Sequence, residues 1–259
     1  MPAICRFLPL LAAGAAFWLA GCSSGPAQAP HADATTGLAS DWARASYASA
    51  DKATPWQHYT LPGKQANRYE YTHADGRAAV VAHSSAGVSM LRQKVRIEPE
   101  ELGRVRFSWK VPALIAEADL SQRDTADSPV RLVLAFEGDR SKFSMRNAML
   151  SELARSLTGE ELPYATLMYV WSNRHPQGTV IPSARTDRIR KLVLESGPGK
   201  LGQWLDYARD IRADYEKAFG EAPGALVGVA LMTDTDNTRA TAQAWYGPVQ
   251  LDATLVSRR

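Results

Sequence analysis

Cysteine is almost missing: the 259 residues contain two, Cys5 and Cys22, both near the N-terminus. Once a leader is cleaved and Cys22 carries lipid, as argued below, no thiol pair remains. The folded part must then hold together through its core, without a disulfide. An excess of one charge is also lacking, with 30 basic against 27 acidic residues and a formal charge of +3. Removal of Arg6 lowers that balance by one more unit. Nucleic-acid binding calls for a strongly basic face, so this balance argues against it and leaves anionic glycans open. Several catalytic signatures are absent. There is no Gly-x-Ser-x-Gly elbow, no His-Glu-x-x-His, no phosphate-binding glycine loop and no dinucleotide fingerprint. The five histidines, at 31, 58, 73, 83 and 175, include no pair with metal-ligand spacing, and each is read first as a satisfied polar residue.

What is present begins at the N-terminus. Arg6 precedes the apolar stretch FLPLLAAGAAFWLA, Phe7–Ala20, which is shorter than the roughly 20 residues a membrane span needs and suits an export signal. It runs into Leu19-Ala20-Gly21-Cys22, the pattern of a bacterial lipobox, whose cysteine receives diacylglycerol and becomes the new N-terminus. The alternative is an ordinary signal peptide with an incidental cysteine. The expected organisation is a signal peptide over 1–21, lipidated Cys22 with a flexible tether over 22–40, and one domain over 41–259. A tether of this Ala/Ser/Gly/Pro composition reaches roughly 20–25 Å. Ser23 after the cysteine matches lipoproteins sorted to the outer membrane, here facing the periplasm.

The folded part carries a strand pattern. In GRVRFSWKVP, Val105, Phe107, Trp109 and Val111 alternate with Arg104, Arg106, Ser108 and Lys110, as in a half-buried antiparallel strand. Asp75-Gly76 sits between two extended runs as a hairpin turn, and VSMLRQKVRI continues the meander. VRLVLAF (Val130–Phe136), ATLMYVW (Ala165–Trp171) and LVGVALM (Leu226–Met232) are near-continuous apolar runs expected as central strands covered on both faces. Two segments have helical spacing and end at glycine, Lys142–Gly159 and Gln203–Gly220, although the second is also compatible with an initial strand. These elements predict a mostly β fold, an antiparallel β-sandwich of jelly-roll type with two peripheral helices. The alternative is an α+β sheet with both helices on one face.

Chemistry concentrates in two places. Asp119, Asp124 and Asp127 lie in a loop leading into the strand that carries Arg131. Burying that arginine among apolar residues is costly without a partner, so one or more of these three carboxylates is expected to pair with it bidentately, as a structural ion pair or as the wall of a ligand cleft. The second place is MTDTDNTRATAQAWY, Met232–Tyr246. Its alternating oxygen ligands Asp234, Asp236 and Asn237 suit a hard cation such as Ca2+. The full calcium-loop register is missing, however, and the same residues make good turns through backbone hydrogen bonds. Turn, metal site (Asp234, Asp236) and direct ligand contact all stay open. Trp109, Trp171, Trp204 and Trp245 are either core or sugar-stacking rings.

With these stretches in view, the chain resembles the bacterial domain-of-unknown-function family numbered three thousand and forty-seven. The resemblance runs from about Trp56 to Leu251. It rests on Trp109-Lys110-Val111, Ala118-Asp119 with Asp127 and Arg131, Tyr169-Val170-Trp171 and Glu195-Ser196-Gly197. It continues through Trp204, Asp214-Tyr215, Phe219-Gly220 and Asp234-Thr235-Asp236-Asn237-Thr238. The family commonly places adjacent acids before the strand arginine, where this chain has Ala126-Asp127, and an acid after Tyr-Gly, where Tyr246-Gly247 is followed by Pro248. The resemblance implies kinship without an activity. The function expected from the sequence is a lipid-anchored periplasmic binding or envelope-associated module, with a glycan as candidate ligand and the face of Arg106, Ser108 and Lys110 as a groove floor or a solvated sheet face. The alternatives are a polysaccharide hydrolase or lyase using Asp119, Asp127, Asp234 and Arg131, and a structural partner of another envelope protein. No catalytic residue is assigned.

Overall fold

The computed structural model describes residues 40–48 and 53–253. The expected signal peptide, the expected lipobox with Cys22 and all of the expected tether but Ser40 lie outside them. The described residues fall in one compact unit, which contains every element and the core set out below. No helix among the described residues is long and apolar enough to cross a membrane.

The mostly β sandwich expected from the sequence is present, among the described residues, as two seven-stranded sheets. The first contains β1 (Tyr47–Ala48), β3 (Arg68–Ala74), β4 (Arg77–Ser85), β6 (Leu102–Lys110), β11 (Trp204–Asp210), β13 (Thr241–Tyr246) and β14 (Gln250–Ala253). The second runs β2 (Gln57–Thr60), β5 (Val88–Ile97), β12 (Leu226–Asp234), β7 (Ser128–Phe136), β8 (Ala165–Ser172), β10 (Ile189–Ser196) and β9 (Val180–Pro182). Most pairs are antiparallel. The sheets are nonetheless mixed, because β1 runs parallel to β14 and β10 parallel to β8.

Period-two patterning explains the layers. Val105, Phe107, Trp109 and Val111 are all buried and face the alternate residues of β7, β8 and β12, among them Leu132, Leu134, Leu167, Tyr169 and Leu231. Phe107 stacks on Tyr169 and on Tyr207, with centroids 5.7 and 5.1 Å away. Trp109 and Trp171 are therefore core residues, as one of their two sequence readings had it. The Asp75-Gly76 turn takes positive φ at both positions, the geometry that matches the right-handed twist of the β3–β4 hairpin. At Gly247 the chain passes from β13 to β14 beside β6, and a Cβ there would collide with Ser108 Oγ.

Among the described residues, three α-helices accompany the sheets. The short α1 (Asp41–Ala45), capped by Ser40 Oγ, buries Trp42; the sequence expectation of two helices omitted it. The segment 142–159 supplies α2 (Met145–Thr158), with Ser144 at its N-cap and Gly159 in the left-handed conformation at its end. The segment 203–220 divides. Trp204–Asp210 pairs with β6 as β11, and Asp210 then caps α3 (Ile211–Phe219) by accepting from Ala213 N at 3.0 Å. The carboxylate at the N-cap is what ends the strand and opens the helix.

The two outer faces differ. On the first sheet the Arg106, Ser108, Lys110 face is closed by its own partners: Arg106 pairs with Asp252 at 2.9 Å, Lys110 with Asp75 at 2.7 Å, and Ser108 is buried. It is a sheet face of ion pairs, not a groove floor. On the second sheet Val133, Met168, Val170, Ala230 and Met232 form a separate apolar cluster, joined by Met90 and Ile189. The central strands are thus apolar on both faces, but the outer face lines a cleft.

Candidate functional site

The cleft has a volume of about 780 Å3 and lies along the outer face of β5, β12, β7, β8 and β10. Met90, Val133, Met168, Ala230 and Met232 contribute to its floor, and Leu150, Leu153 and Leu157 of α2 form one wall. Alternation sets this composition. Residues at odd places of β7 (Arg131, Val133, Ala135) face the cleft, and those between them face the core.

At one end β12 closes with Met232, Thr233 and Asp234. The β7–β12 register pairs Met232 with Arg131 and, after a shift, Asp234 with Ser128, and the Asp234 carboxylate reaches Arg131. The two side chains, 8% and 5% exposed, form an ion pair at 2.7 Å. Arg131 also donates to the carbonyl of Ala126, and its Nη1 lies 3.7 Å from Met168 Sδ. Its Nε is buried with no hydrogen-bond partner among the described residues. Asp127 accepts four hydrogen bonds from the turn after β12. Oδ1 takes Asn237 N at 3.3 Å and Asn237 Nδ2 at 2.8 Å; Oδ2 takes Thr238 N at 2.8 Å and Thr238 Oγ1 at 2.7 Å. Asp236 pairs with Lys64, and its N–H donates to Asp234 Oδ1 at 3.4 Å.

The two sequence clusters therefore meet. Asp127, Asp234 and Asp236 bring one oxygen each to within 4.8 Å of one another, and Arg131 and Asn237 join them. Asp119 lies apart: it is held by Ser121 N and Oγ at 2.9 and 2.7 Å, near Arg174 and His175. Its carboxyl is lowered below the usual range, first by those Ser121 bonds. Burial raises the Asp234 carboxyl to about 7 against the pull of Arg131, and the hydrogen bond with Asp236 raises it further; Asp236 is lowered. For a calcium ion the fit is poor, because Arg131, Lys64 and the four donors on Asp127 already occupy the carboxylates.

The matched model, described as a protein of unknown function (DUF3047), covers residues 54–250. The chain belongs to the DUF3047 family. No curated protein matches it. Among solved structures, this DUF3047 chain is similar to the xyloglucanase domain of a type three effector from Sinorhizobium fredii, solved with cellobiose. That match has TM-score 0.41 and 8% identity, over 78% of this chain and 97% of that one. It is also similar to endoglucanase 3 of Trichoderma harzianum, at TM-score 0.39 and 7% identity, over 80% and 93% of the two chains.

Sequence reasoning passed over the second buried cation of the DUF3047 cleft. Lys191 on β10 is 4% exposed, and its Nζ donates to the carbonyl of Leu120 at 2.8 Å. Burial, and then Arg131, lower its amine to about 8. The signal was available: IRKLVLES sets a lysine inside an apolar strand, as VRLVLAF sets Arg131. Lys64 and Arg185, also on the cleft, lie in turns and left no comparable pattern.

Proposed function

We propose that this protein is an envelope-associated binding module, lipid-anchored through Cys22, whose ligand seats in the cleft of the second sheet. The observation that carries the reading is the cleft itself. It lies within the 300–1,000 Å3 usual for ligand sites, is walled by apolar side chains, and has two buried cations on its floor. Keeping Arg131 and Lys191 in an apolar sheet face costs stability, a cost that binding explains and packing does not.

Hydrolysis has less support. Cleaving a glycosidic bond takes two carboxyls on either side of a cleft, one holding a proton. Asp127, Asp234 and Asp236 all converge at one end. The other cleft carboxylates are committed to cations: Glu160 to Arg92 and Lys94, Glu137 to Arg96, and Glu161 to Arg140. The Glu160 carboxyl is lowered to about 2 by Arg92 and Lys94, so it has no proton to give.

The test uses residues 34–259 and the fluorescence of anilinonaphthalene sulfonate. A saturable rise that disappears in Met232→Trp, which fills the cleft floor, supports the reading. A rise unchanged by that substitution sinks it. Anchoring is tested separately in the full chain by labelled palmitate, whose incorporation must vanish in Cys22→Ala.

A further inference from the structure

Resting on the cleft as the ligand site, we infer that its ligand is a single-chain amphiphile, with an aliphatic body along the floor and one anionic head group at Arg131 and Lys191. Three independent features of the structure point to this chemistry.

The first is what the cleft offers a sugar. Pyranose recognition relies on free aromatic faces, and no tryptophan lines the cleft. Of its aromatic rings, Tyr59 lies under the Arg92 guanidinium at 3.9 Å and Tyr164 under that of Arg188 at 3.9 Å. Phe136 is fully buried in the core. What remains is aliphatic and thioether surface, Met90, Met168 and Met232 foremost, and methionine adapts to flexible apolar chains.

The second is the orientation of α2. Its inward face is polar: Asn147 Nδ2 donates to Asp187 at 2.6 Å, and Asn147 Oδ1 accepts from Thr186 Oγ1 at 2.7 Å. Ser151 Oγ accepts from Arg140 at 2.9 Å. The apolar stripe points the other way. Leu150, Leu153 and Leu157 line the cleft, and Met145 and Met149 continue the stripe at 82% and 67% exposure. A surface helix ordinarily buries its apolar stripe. Here hydrogen bonds hold the helix by its polar side and leave the stripe for an occupant.

The third is charge. Eight basic and five acidic residues line the cleft, so it favours an anion. The deepest cations have donors to spare. Among the described residues Arg131 Nε has no hydrogen-bond partner, and Lys191 Nζ makes one hydrogen bond, to the Leu120 carbonyl. Met168, which pairs with Lys191 across β8–β10 and touches Arg131, sits between the two. The head group is a carboxylate or a phosphate; both satisfy these donors.

Calorimetric titration of residues 34–259 below micellar concentration decides the matter, with dodecanoate, dodecyl phosphate, dodecanol, decanoate and cellopentaose as probes. Binding of either anion supports the proposal, and the tighter one identifies the head group. Dodecanol is expected to bind at least tenfold more weakly, and decanoate about fifteenfold more weakly than dodecanoate, since each buried methylene contributes about fourfold. Lys191→Met is expected to weaken the anions at least tenfold and leave dodecanol unchanged. Cellopentaose binding that Met232→Trp abolishes, with no anion bound, overturns the amphiphile and keeps the cleft as the site. Insensitivity of every probe to Met232→Trp removes the cleft reading itself.

Discussion

Replacing Lys191 with methionine is expected to make the domain more stable while impairing its binding. The amine falls from 10.5 to about 8, chiefly through burial. At about 1.4 kcal/mol per unit, that is about 3 kcal/mol spent keeping the ammonium charged at pH 7. Methionine has nearly the same length and enters the apolar cluster of Val133, Met168 and Val193. Against the gain stands the carbonyl of Leu120, which loses its donor, at a cost of about 1–2 kcal/mol. The net expectation is about 1–2 kcal/mol of added stability, or a rise in Tm of roughly 2–8 °C for a domain of this size. The pH dependence gives the more specific check. A lysine with a lowered folded pKa binds fewer protons folded than unfolded between about pH 8 and 10.5, so wild-type stability rises over that window. The advantage of Lys191→Met must therefore shrink from pH 8 to pH 10. Urea unfolding of both proteins at pH 7, 8, 9 and 10 measures it. Destabilisation at pH 7, or a gap constant with pH, would refute the reasoning.

Asp234→Asn leaves Arg131 buried without its anion and should cost about 3–5 kcal/mol, whereas Arg131→Met combined with Asp234→Leu should cost much less than the sum of the single changes; denaturant titration of the cycle checks both. Asp127→Ala strips four acceptor contacts from the turn after β12 and should cost about 2–4 kcal/mol, with amide exchange accelerated first at Asn237 and Thr238. Calcium in excess is expected to leave Tm where chelator leaves it, because Arg131 and Lys64 already neutralise the cluster. A rise of several degrees that disappears in Asp236→Asn would establish a metal site instead.

Much of the fold was legible because period-two patterning records which face of a strand is buried. Val105, Phe107, Trp109 and Val111 gave the core side of β6 directly. Layer assignment was harder where both faces are apolar: in β7, β8 and β12 the sequence has no way to mark which face packs on the other sheet and which lines a cleft. Helix α2 shows the same ambiguity, since Met149, Leu153 and Leu157 have the spacing of a core stripe but face outward. The division of 203–220 into strand and helix depended on Asp210 as a cap, a local signal outweighed by the aromatic stripe on either side. The Arg131 argument, that a cation in an apolar strand needs a carboxylate, held in kind but expected the partner among Asp119, Asp124 and Asp127; folding selected Asp234, about a hundred residues away in the chain, and gave Asp127 to the turn after β12. Applied to Lys191, the same argument finds the other end of the cleft floor.

The most direct measurement is photolabelling of residues 34–259 with a diazirine-bearing long-chain fatty acid, mapped by peptide mass spectrometry. The account predicts adducts on the peptides carrying Met90, Met168, Met232 and Leu153, competed by unlabelled dodecanoate and lost in Met232→Trp. Adducts on the opposite sheet around Trp204 and Trp245, or adducts competed by cellopentaose and not by dodecanoate, would contradict it.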